Sequence, residues 1–335
     1  MEINGVGLVG AGRQGRRLGK AIRDSGDYEI TIADIDRHAA ARLAKEIRAE
    51  VATDWRELTS MPHIDVIVVC TPPNLHAPIS IAAMENGKHV LCEKPLAPDP
   101  VEASKIVQVA ERQKVRLQCG FNLRFHPGIK QARKWLGNGL TGTPVFARCR
   151  YGICGSPDYD KDWRANPSIS GGGELLDQGV HVIDLFRWFL GDFREVVGFT
   201  STSCWDISPL EDNVFALLRT ENGQTASMHA SWTQWKNLFS FEVFGRDGYV
   251  IVEGLGGSYG TERAILGKRT VFEPFREEVI EFRGEDRSWH EEWKELIAAI
   301  KENREPLGAG TDGLQAIRIA YAIYESVRSK RVINI

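Results

Sequence analysis

Gly10-Ala11-Gly12-Arg13-Gln14-Gly15 follows a short apolar run, Val6–Val9, and opens a segment with Leu18, Ala21 and Ile22 on one helical face. No other feature constrains the fold as much. Glycine-rich turns are common, but a G-x-G-x-x-G string placed between a strand and a helix has a specific physical use. Gly10 permits the tight turn, Gly12 lets backbone approach a pyrophosphate, and Gly15 lets the helix pack closely on the strand. The helix start then presents N–H groups without intrahelical partners to phosphate oxygens. Asp34 ends the second apolar run, about 20 residues further on, where a carboxylate accepts hydrogen bonds from ribose hydroxyls and repels a 2′-phosphate. The combination predicts dinucleotide binding and favours NAD. Arg13 and Arg37 lie close enough to keep NADP as the alternative.

The alternation continues past this unit. Tyr28–Ala33, Asp65–Cys70, His89–Cys92 and Arg116–Cys119 read as strands, and the second of these is nearly continuous apolar sequence, as in a strand covered on both faces. Between them lie helix-period segments, one with Ala40, Leu43, Ala44 and Ile47 on a single face. Such order argues for a parallel, doubly wound α/β sheet with right-handed crossovers. After Phe121 the pattern changes. Pro127–Leu136 reads as a helix and Pro144–Tyr151 as a strand with one wet face; Gly152–Gly173 is a long loop of the functional kind, and Leu175–Leu190 a strong helix. Strand-like runs with hairpin signals at Asn222-Gly223 and Asp247-Gly248 then predict an α+β domain with a largely antiparallel open sheet. A helix from Ser288 to Ile300 opens on a Ser288/Glu291 capping box. The chain has 335 residues, and at about 150 per domain that suggests two. The expected boundaries are 1–121 and 122–335, with the last helix, about 311–329, packing back on the first domain.

Charge and cysteine content narrow the function. The formal net charge is −3, so nothing draws the whole chain toward nucleic acid or an anionic membrane. No apolar run approaches the roughly 18 residues of a membrane span. Met1-Glu2-Ile3-Asn4 has neither the charge nor the apolar stretch of a signal peptide. Six scattered cysteines without a Cys-x-x-Cys pair point away from a disulfide framework or zinc site, and toward the cytoplasm.

Two further clusters carry chemistry. Glu93-Lys94-Pro95 directly follows a strand of the parallel sheet, at the carboxyl end where such sheets bind ligands. A lysine there can donate to a developing alkoxide or carbonyl oxygen; it can equally be a solvated surface lysine. Asp177 and His181 are four apart, hence neighbours on one helical face that Asp184 and Trp188 continue. Histidine suits general-base removal of a hydroxyl proton, and an aspartate one turn earlier can orient it. A plain surface Asp–His pair is the alternative; a metal site is disfavoured because no second histidine or cysteine stands at ligand spacing. Gly171-Gly172-Gly173 let the preceding loop pass close to a ligand. Tyr159, Trp163, Arg164 and Asn166 supply an aromatic, charged and amide surface suited to polyhydroxylated ligands. Trp232 and Trp235 fit either a core or a ligand surface.

With these motifs assembled, the chain resembles the glucose–fructose oxidoreductase / inositol dehydrogenase / MocA (Gfo/Idh/MocA) family of NAD(P)-dependent oxidoreductases. The match runs from the Gly10 loop to the last helix and includes Thr71-Pro72-Pro73-Asn74-Leu75-His76, Glu93-Lys94-Pro95, Gly120–Pro127, and Gly171–His181 ending in Asp184. The resemblance implies a Rossmann domain followed by an α/β domain whose open sheet serves assembly as a homodimer or homotetramer. It implies that Lys94, Asp177 and His181 form the catalytic group and that the Lys94–Pro95 peptide is cis. It implies that Cys70, Thr71, Pro72, Asn74, His76 and Glu93 lie along the cofactor with Gly10–Gly15, Asp34 and Arg37, and that Arg124 lies near the nicotinamide. The implied substrate is a sugar, polyol or nucleotide sugar, held by Trp163 and Arg164 beside the catalytic group. In the expected reaction His181 removes a hydroxyl proton while the carbon passes hydride to the nicotinamide, and Lys94 stabilises the oxygen. With Lys94 in the first domain and the Asp–His pair in the second, the expected site lies at their junction. A non-enzymatic sensor and an NAD-cycling glycosidase are the competing uses of such a fold.

Overall fold

The computed structural model describes residues 3–335; Met1 and Glu2, the start of the segment read above against a signal peptide, lie outside the described residues. The chain divides into two compact units, one running to Asn122 and including Trp289–Ile317, the other comprising Leu123–Ser288 and Arg318–Ile335.

In the first unit, strands β1 (Gly5–Val9), β2 (Glu29–Ala33), β3 (Glu50–Val51), β4 (Val66–Val69), β5 (His89–Cys92) and β6 (Leu117–Cys119) alternate with helices α1 (Arg13–Ser25), α2 (Arg37–Ile47), α3 (Trp55–Ser60), α4 (His76–Glu85) and α5 (Pro100–Gln113). The strands form one parallel sheet in the order β3-β2-β1-β4-β5-β6, with the reversal of order at β1 and β4. Strands β1, β4 and β5 are buried along their whole length, which is why they read as unbroken apolar runs. Helix ends follow local chemistry. Asp36 and Asp99 cap α2 and α5 by accepting two backbone N–H groups each. The short β3 and α3 carried too little periodicity to stand out in the sequence.

The sequence predicts that the last helix, about 311–329, packs back on the first domain. In the structure the returning segment is Trp289–Ile317, carrying most of the helix Ser288–Lys301 and only the start of the helix Gly310–Ser329. The reason is apolar area. Trp293, Leu296, Ile297 and Ile300 join Val6, Leu8, Leu18, Ile22 and Leu43 in one core cluster. Arg17 covers the Trp289 ring at 4.7 Å from its centre.

The second unit is a nine-stranded sheet with helices α6 (Pro127–Gly137), α7 (Pro167–Ser170) and α8 (Val180–Leu190). Its strands are β7 (Pro144–Cys154), β8 (Phe193–Ser201), β9 (Asn213–Thr220), β10 (Thr225–Ser231), β11 (Thr233–Gly245), β12 (Gly248–Glu253), β13 (Glu262–Lys268), β14 (Glu277–Phe282) and β15 (Ile333–Asn334). The order is β14-β13-β12-β11-β7-β10-β9-β8-β15, antiparallel throughout except for β7 beside β10. Burial alternates residue by residue along β9, as period-two patterning requires. Ala216 and Leu218 are buried, whereas Phe215 and Leu217 on the opposite face are half exposed, and Phe199 on β8 is mostly exposed.

The long loop Gly152–Gly173 is ordered into short helical turns. Tyr159 on one of them joins Ile207, Leu210 and Trp232 in a satellite core. Trp232 is thus a core residue, while Trp235 is 63% exposed. The expected single helix Leu175–Leu190 is two: a π-helical turn over Leu175–Gly179, then α8.

Candidate active site

In the first unit the glycine loop is built as its spacing requires. Gly10 has φ +103°, and a Cβ there would stand 2.6 Å from the Cys70 carbonyl oxygen. A Cβ on Gly15 would lie 1.9 Å from the Gly10 oxygen, so helix and strand meet backbone to backbone. At Gly12 a Cβ would meet nothing within 4 Å: this glycine leaves open space in front of the helix start. Helix α1 carries no side-chain cap and no acidic residue in its first turn, leaving its leading N–H groups for an anion.

Asp34 closes the loop from the neighbouring strand. Its Oδ2 accepts the Ala11 N–H at 2.6 Å and its Oδ1 accepts the Asp36 N–H at 2.7 Å, which fixes the carboxylate while leaving lone pairs for two hydroxyls. Ile35 beside it is fully exposed, a flat apolar contact that the sequence reading passed over. Arg13 and Arg37 are exposed at the same end of the sheet. These residues fit a dinucleotide.

The ends of β4 and β5 supply the next layer. Cys70 follows β4, and burial together with the Glu93 charge pushes its thiol well up, so it remains a neutral thiol at ordinary pH. The Thr71 hydroxyl oxygen is shielded and has no hydrogen-bond partner among the described residues. Pro72 is half-buried and Asn74 exposed. His76, expected along the cofactor, is instead turned inward. Its ring nitrogens stand 2.8 Å from the Thr71 and Pro95 carbonyl oxygens, so the side chain braces one loop against the other. Only an imidazolium could donate to both carbonyls; burial opposes that charge and shifts the ring downward despite the two contacts.

Lys94 is half-buried and its peptide bond to Pro95 is cis. Glu93 before it is buried. Its Oε2 accepts the Lys94 N–H at 3.2 Å and its Oε1 accepts the Gln14 Nε2 at 3.3 Å. Glu93 thereby ties the lysine-bearing strand end to the glycine loop. Burial raises the Glu93 carboxyl, against the opposing pull of Lys94, Gln14 and Arg17.

The second unit holds the Asp–His pair. The π-turn Leu175–Gly179 is the kind of local irregularity that collects at functional sites, and apolar periodicity does not reveal it. Two residues far away in sequence hold it in place. Glu211 accepts the Leu175 N–H at 2.9 Å and the Tyr324 hydroxyl at 2.7 Å through the same oxygen. Burial raises the Glu211 carboxyl against these hydrogen bonds. This packing corrects the reading of Gly172 and Gly173 as room for a ligand. A Cβ on Gly172 would lie 2.4 Å from the Tyr324 hydroxyl and one on Gly173 2.2 Å from the Glu211 backbone oxygen. Their missing side chains make room for protein, and no signal in the sequence tied Glu211 to this turn.

On the pair itself, Asp177 is half-buried and accepts from Arg164 Nε at 3.3 Å. The same guanidinium donates to Asp162 at 3.2 Å and stacks 4.2 Å from the Trp163 ring centre. Burial alone would lower the Arg164 pKa, but Asp177, Tyr159 and Asp162 outweigh it and raise it. His181 is buried, with the Tyr151 ring edge-on at 6.3 Å. Burial, Tyr259 and the Glu174 and Asp177 charges push the Tyr151 hydroxyl far up, so it stays protonated. Thus Asp177, His181, Arg164 and Trp163 fall in one unit around one helix start.

Arg124 is placed otherwise than expected. Within the second unit its Nε and Nη2 donate to the two Asp184 oxygens at 2.7 and 2.6 Å, and both side chains are almost fully buried. Its guanidinium lies 5.3 Å from the Trp188 ring centre. Asp184 is therefore an anchor for Arg124.

A parallel sheet with an anion-binding glycine loop, an acidic residue at the end of β2, and a lysine at the end of β5 defines a dinucleotide-binding oxidoreductase. The comparisons agree. Residues 4–121 match the oxidoreductase family with an NAD-binding Rossmann fold, and residues 129–251 match the GFO/IDH/MocA C-terminal domain. The chain belongs to the Gfo/Idh/MocA oxidoreductase family. It is 27% identical to levoglucosan dehydrogenase of Pseudarthrobacter phenanthrenivorans, over 100% of this chain and 99% of that one. It is 31% identical to 1,5-anhydro-D-fructose reductase of Ensifer adhaerens, over 74% and 75% respectively. The structure of levoglucosan dehydrogenase with NADH and L-sorbose superposes with a TM-score of 0.91 at 25% identity, covering 100% of this chain and 99% of that chain.

Proposed function

We propose that this protein is an NAD-dependent dehydrogenase that oxidises a CH–OH group of a sugar or polyol, with Lys94, Asp177 and His181 as its catalytic residues. The observation that supports the reading is a glycine loop closed by Asp34 together with an Asp177 held by Arg164 one helical turn before His181. The similarity to a levoglucosan dehydrogenase and to an inositol 2-dehydrogenase, the latter 28% identical over 98% of both chains, supports the substrate class.

The bound dinucleotide supplies the hydride acceptor. Gly10, Gly12 and Gly15 with the start of α1 would hold its pyrophosphate, Asp34 its adenosine ribose, and Ile35 the adenine face. Thr71, Pro72 and Asn74 flank it. His181 accepts the hydroxyl proton of the substrate, while Lys94 donates a hydrogen bond to the oxygen as its carbon becomes carbonyl. Asp177, gripped by Arg164, receives a neighbouring hydroxyl or orients His181, and Trp163 offers an apolar face to the sugar ring. The test is a panel of sugars, polyols and nucleotide sugars followed by NADH absorbance, with NAD and NADP in parallel. Cofactor bound with no turnover on any of the panel would overturn the reading.

Cofactor choice is tested at Asp34. Asp34→Asn keeps an oxygen for the Ala11 N–H but removes the charge. NAD affinity is expected to fall about tenfold, as for one lost charge-assisted hydrogen bond, and NADP affinity to rise. Unchanged discrimination in titrations with both cofactors would remove Asp34 from this role.

A homodimer or homotetramer through the open face of the nine-stranded sheet is part of the same proposal. Phe199, Phe215 and Leu217 stand 74%, 51% and 50% exposed on that face, an apolar cluster that a second copy would cover. Phe215→Asp is expected to shift the molecular mass in light scattering toward monomer; an unchanged mass would move the interface elsewhere. The cytoplasm is the proposed compartment, because all six cysteines are unbonded and Cys154 and Cys204 are exposed.

A further inference from the structure

Helix Ser288–Lys301 carries a group that the proposed chemistry does not use. Glu292 is fully buried in the first unit, and neither of its carboxyl oxygens has a hydrogen-bond partner among the described residues. Buried carboxylates are ordinarily paired or hydrogen-bonded, because an isolated buried charge costs several kcal/mol or more. Gln118 on β6 is fully buried too. Its Nε2 donates to the Glu292 backbone oxygen at 3.2 Å, and its own Oε1 is likewise without a partner. The charged or titratable groups around these side chains are Glu93 and Cys92 from β5 and the loop after it, Cys70 after β4, and Lys94 and Arg17, which both act on Glu93. Among the described residues, the charged group bearing on Glu292 is Glu93, of its own sign. Three buried side-chain oxygens, two on Glu292 and one on the Gln118 that bonds its backbone, thus lack a donor among the described residues.

We propose that Glu292 is a neutral carboxylic acid whose proton serves the buried acceptors behind the Glu93–Lys94 strand end, making it a positioning residue for Lys94. With Glu292 neutral, no second carboxylate competes with Glu93, which keeps its hold on the Lys94 N–H and on Gln14. An ionised Glu292 would place a second buried negative charge beside Glu93 and loosen that hold. Burial, reinforced by Glu93, shifts the Glu292 carboxyl well upward, in the same direction. The sign of the linkage follows. A carboxyl raised in the folded state favours folding below its ordinary value of 4.5, and that stability is lost as pH rises from there toward the folded value.

The inference rests on the assignment of Lys94, so its test has two independent arms in the full-length protein. In the first, infrared difference spectra of the parent at neutral pH should contain a protonated-carboxyl band that Glu292→Gln removes, and Glu292→Gln should flatten the fall of thermal midpoint with rising pH. An unchanged band, or the same pH slope in both proteins, would overturn the proposal. In the second arm, Glu292→Leu should lower kcat by about tenfold, the size of one lost hydrogen bond, with little change in NAD affinity. Glu292→Gln, which keeps a donor, should restore most of that loss. Equal damage from Leu and Gln would overturn the positioning role. Lys94→Ala retaining activity would defeat the Lys94 assignment while leaving the infrared result standing.

Discussion

Lys94→Ala should lower turnover by about 10²–10⁴-fold while NAD binds almost as before. The separation of the two effects is the informative part. The proposed pyrophosphate cradle is backbone at Gly10, Gly12 and the start of α1, and Asp34 is fixed by the Ala11 and Asp36 N–H groups, none of which involves the Lys94 side chain. The Lys94 backbone N–H remains to satisfy Glu93, so the strand end keeps its anchor. Only the donor to the reacting oxygen is removed. His181→Ala should cause a loss of similar size, and added imidazole should recover part of it, since the missing function is proton acceptance. The measurements are kcat, KM and NAD affinity for each variant. Full activity in either variant, or a collapse of NAD affinity equal to the loss of turnover, would remove that residue from the catalytic group.

Arg124→Ala should be among the most destabilising single substitutions in the chain. It deletes one side of a bidentate pair whose side chains are only 4% and 1% exposed, leaving the Asp184 carboxylate buried without its cation. Breaking such a pair typically costs about 3–5 kcal/mol, because the stranded charge bears the full cost of desolvation. The Trp188 ring loses its guanidinium neighbour as well. A paired replacement, Arg124→Met with Asp184→Leu, removes both charges and should recover much of the loss. Thermal unfolding of the four proteins closes the cycle, read as midpoints because a chain of two units need not unfold in one step. A single variant as stable as the parent would show that the pair contributes little. Loss of turnover without loss of stability would instead return Arg124 to the cofactor role that its motif suggested.

Much of the first unit was legible because its signals are local. A buried parallel strand must be apolar on both faces, and His89–Cys92 announces itself with no information from elsewhere in the chain. Gly15 is demanded by its contact with the Gly10 backbone within one strand–turn–helix unit, and Gly10 by its positive φ in the turn itself. The second unit was less legible. Its sheet is mixed, and the parallel neighbours β7 and β10 are separated by the whole Asp–His helix and two strands. The π-turn under Asp177 was hidden because its apolar spacing suits an α-helix equally well; what holds it is Glu211, supported by Tyr324.

The candidate residues divide along the same line. Sequence alone determined which chemistry is present: a glycine loop with Asp34, a lysine after a sheet strand, an aspartate and histidine four apart. Motif chemistry depends on residue type and short spacing, and both are written in the chain. Tertiary structure decided what each side chain faces. It turned His76 toward two carbonyl groups, gave Arg124 to Asp184, set Arg164 on Asp177, and buried Glu292 without a partner behind Glu93. Those outcomes depend on burial and on charges brought together from distant positions, and burial is a property of the packed chain.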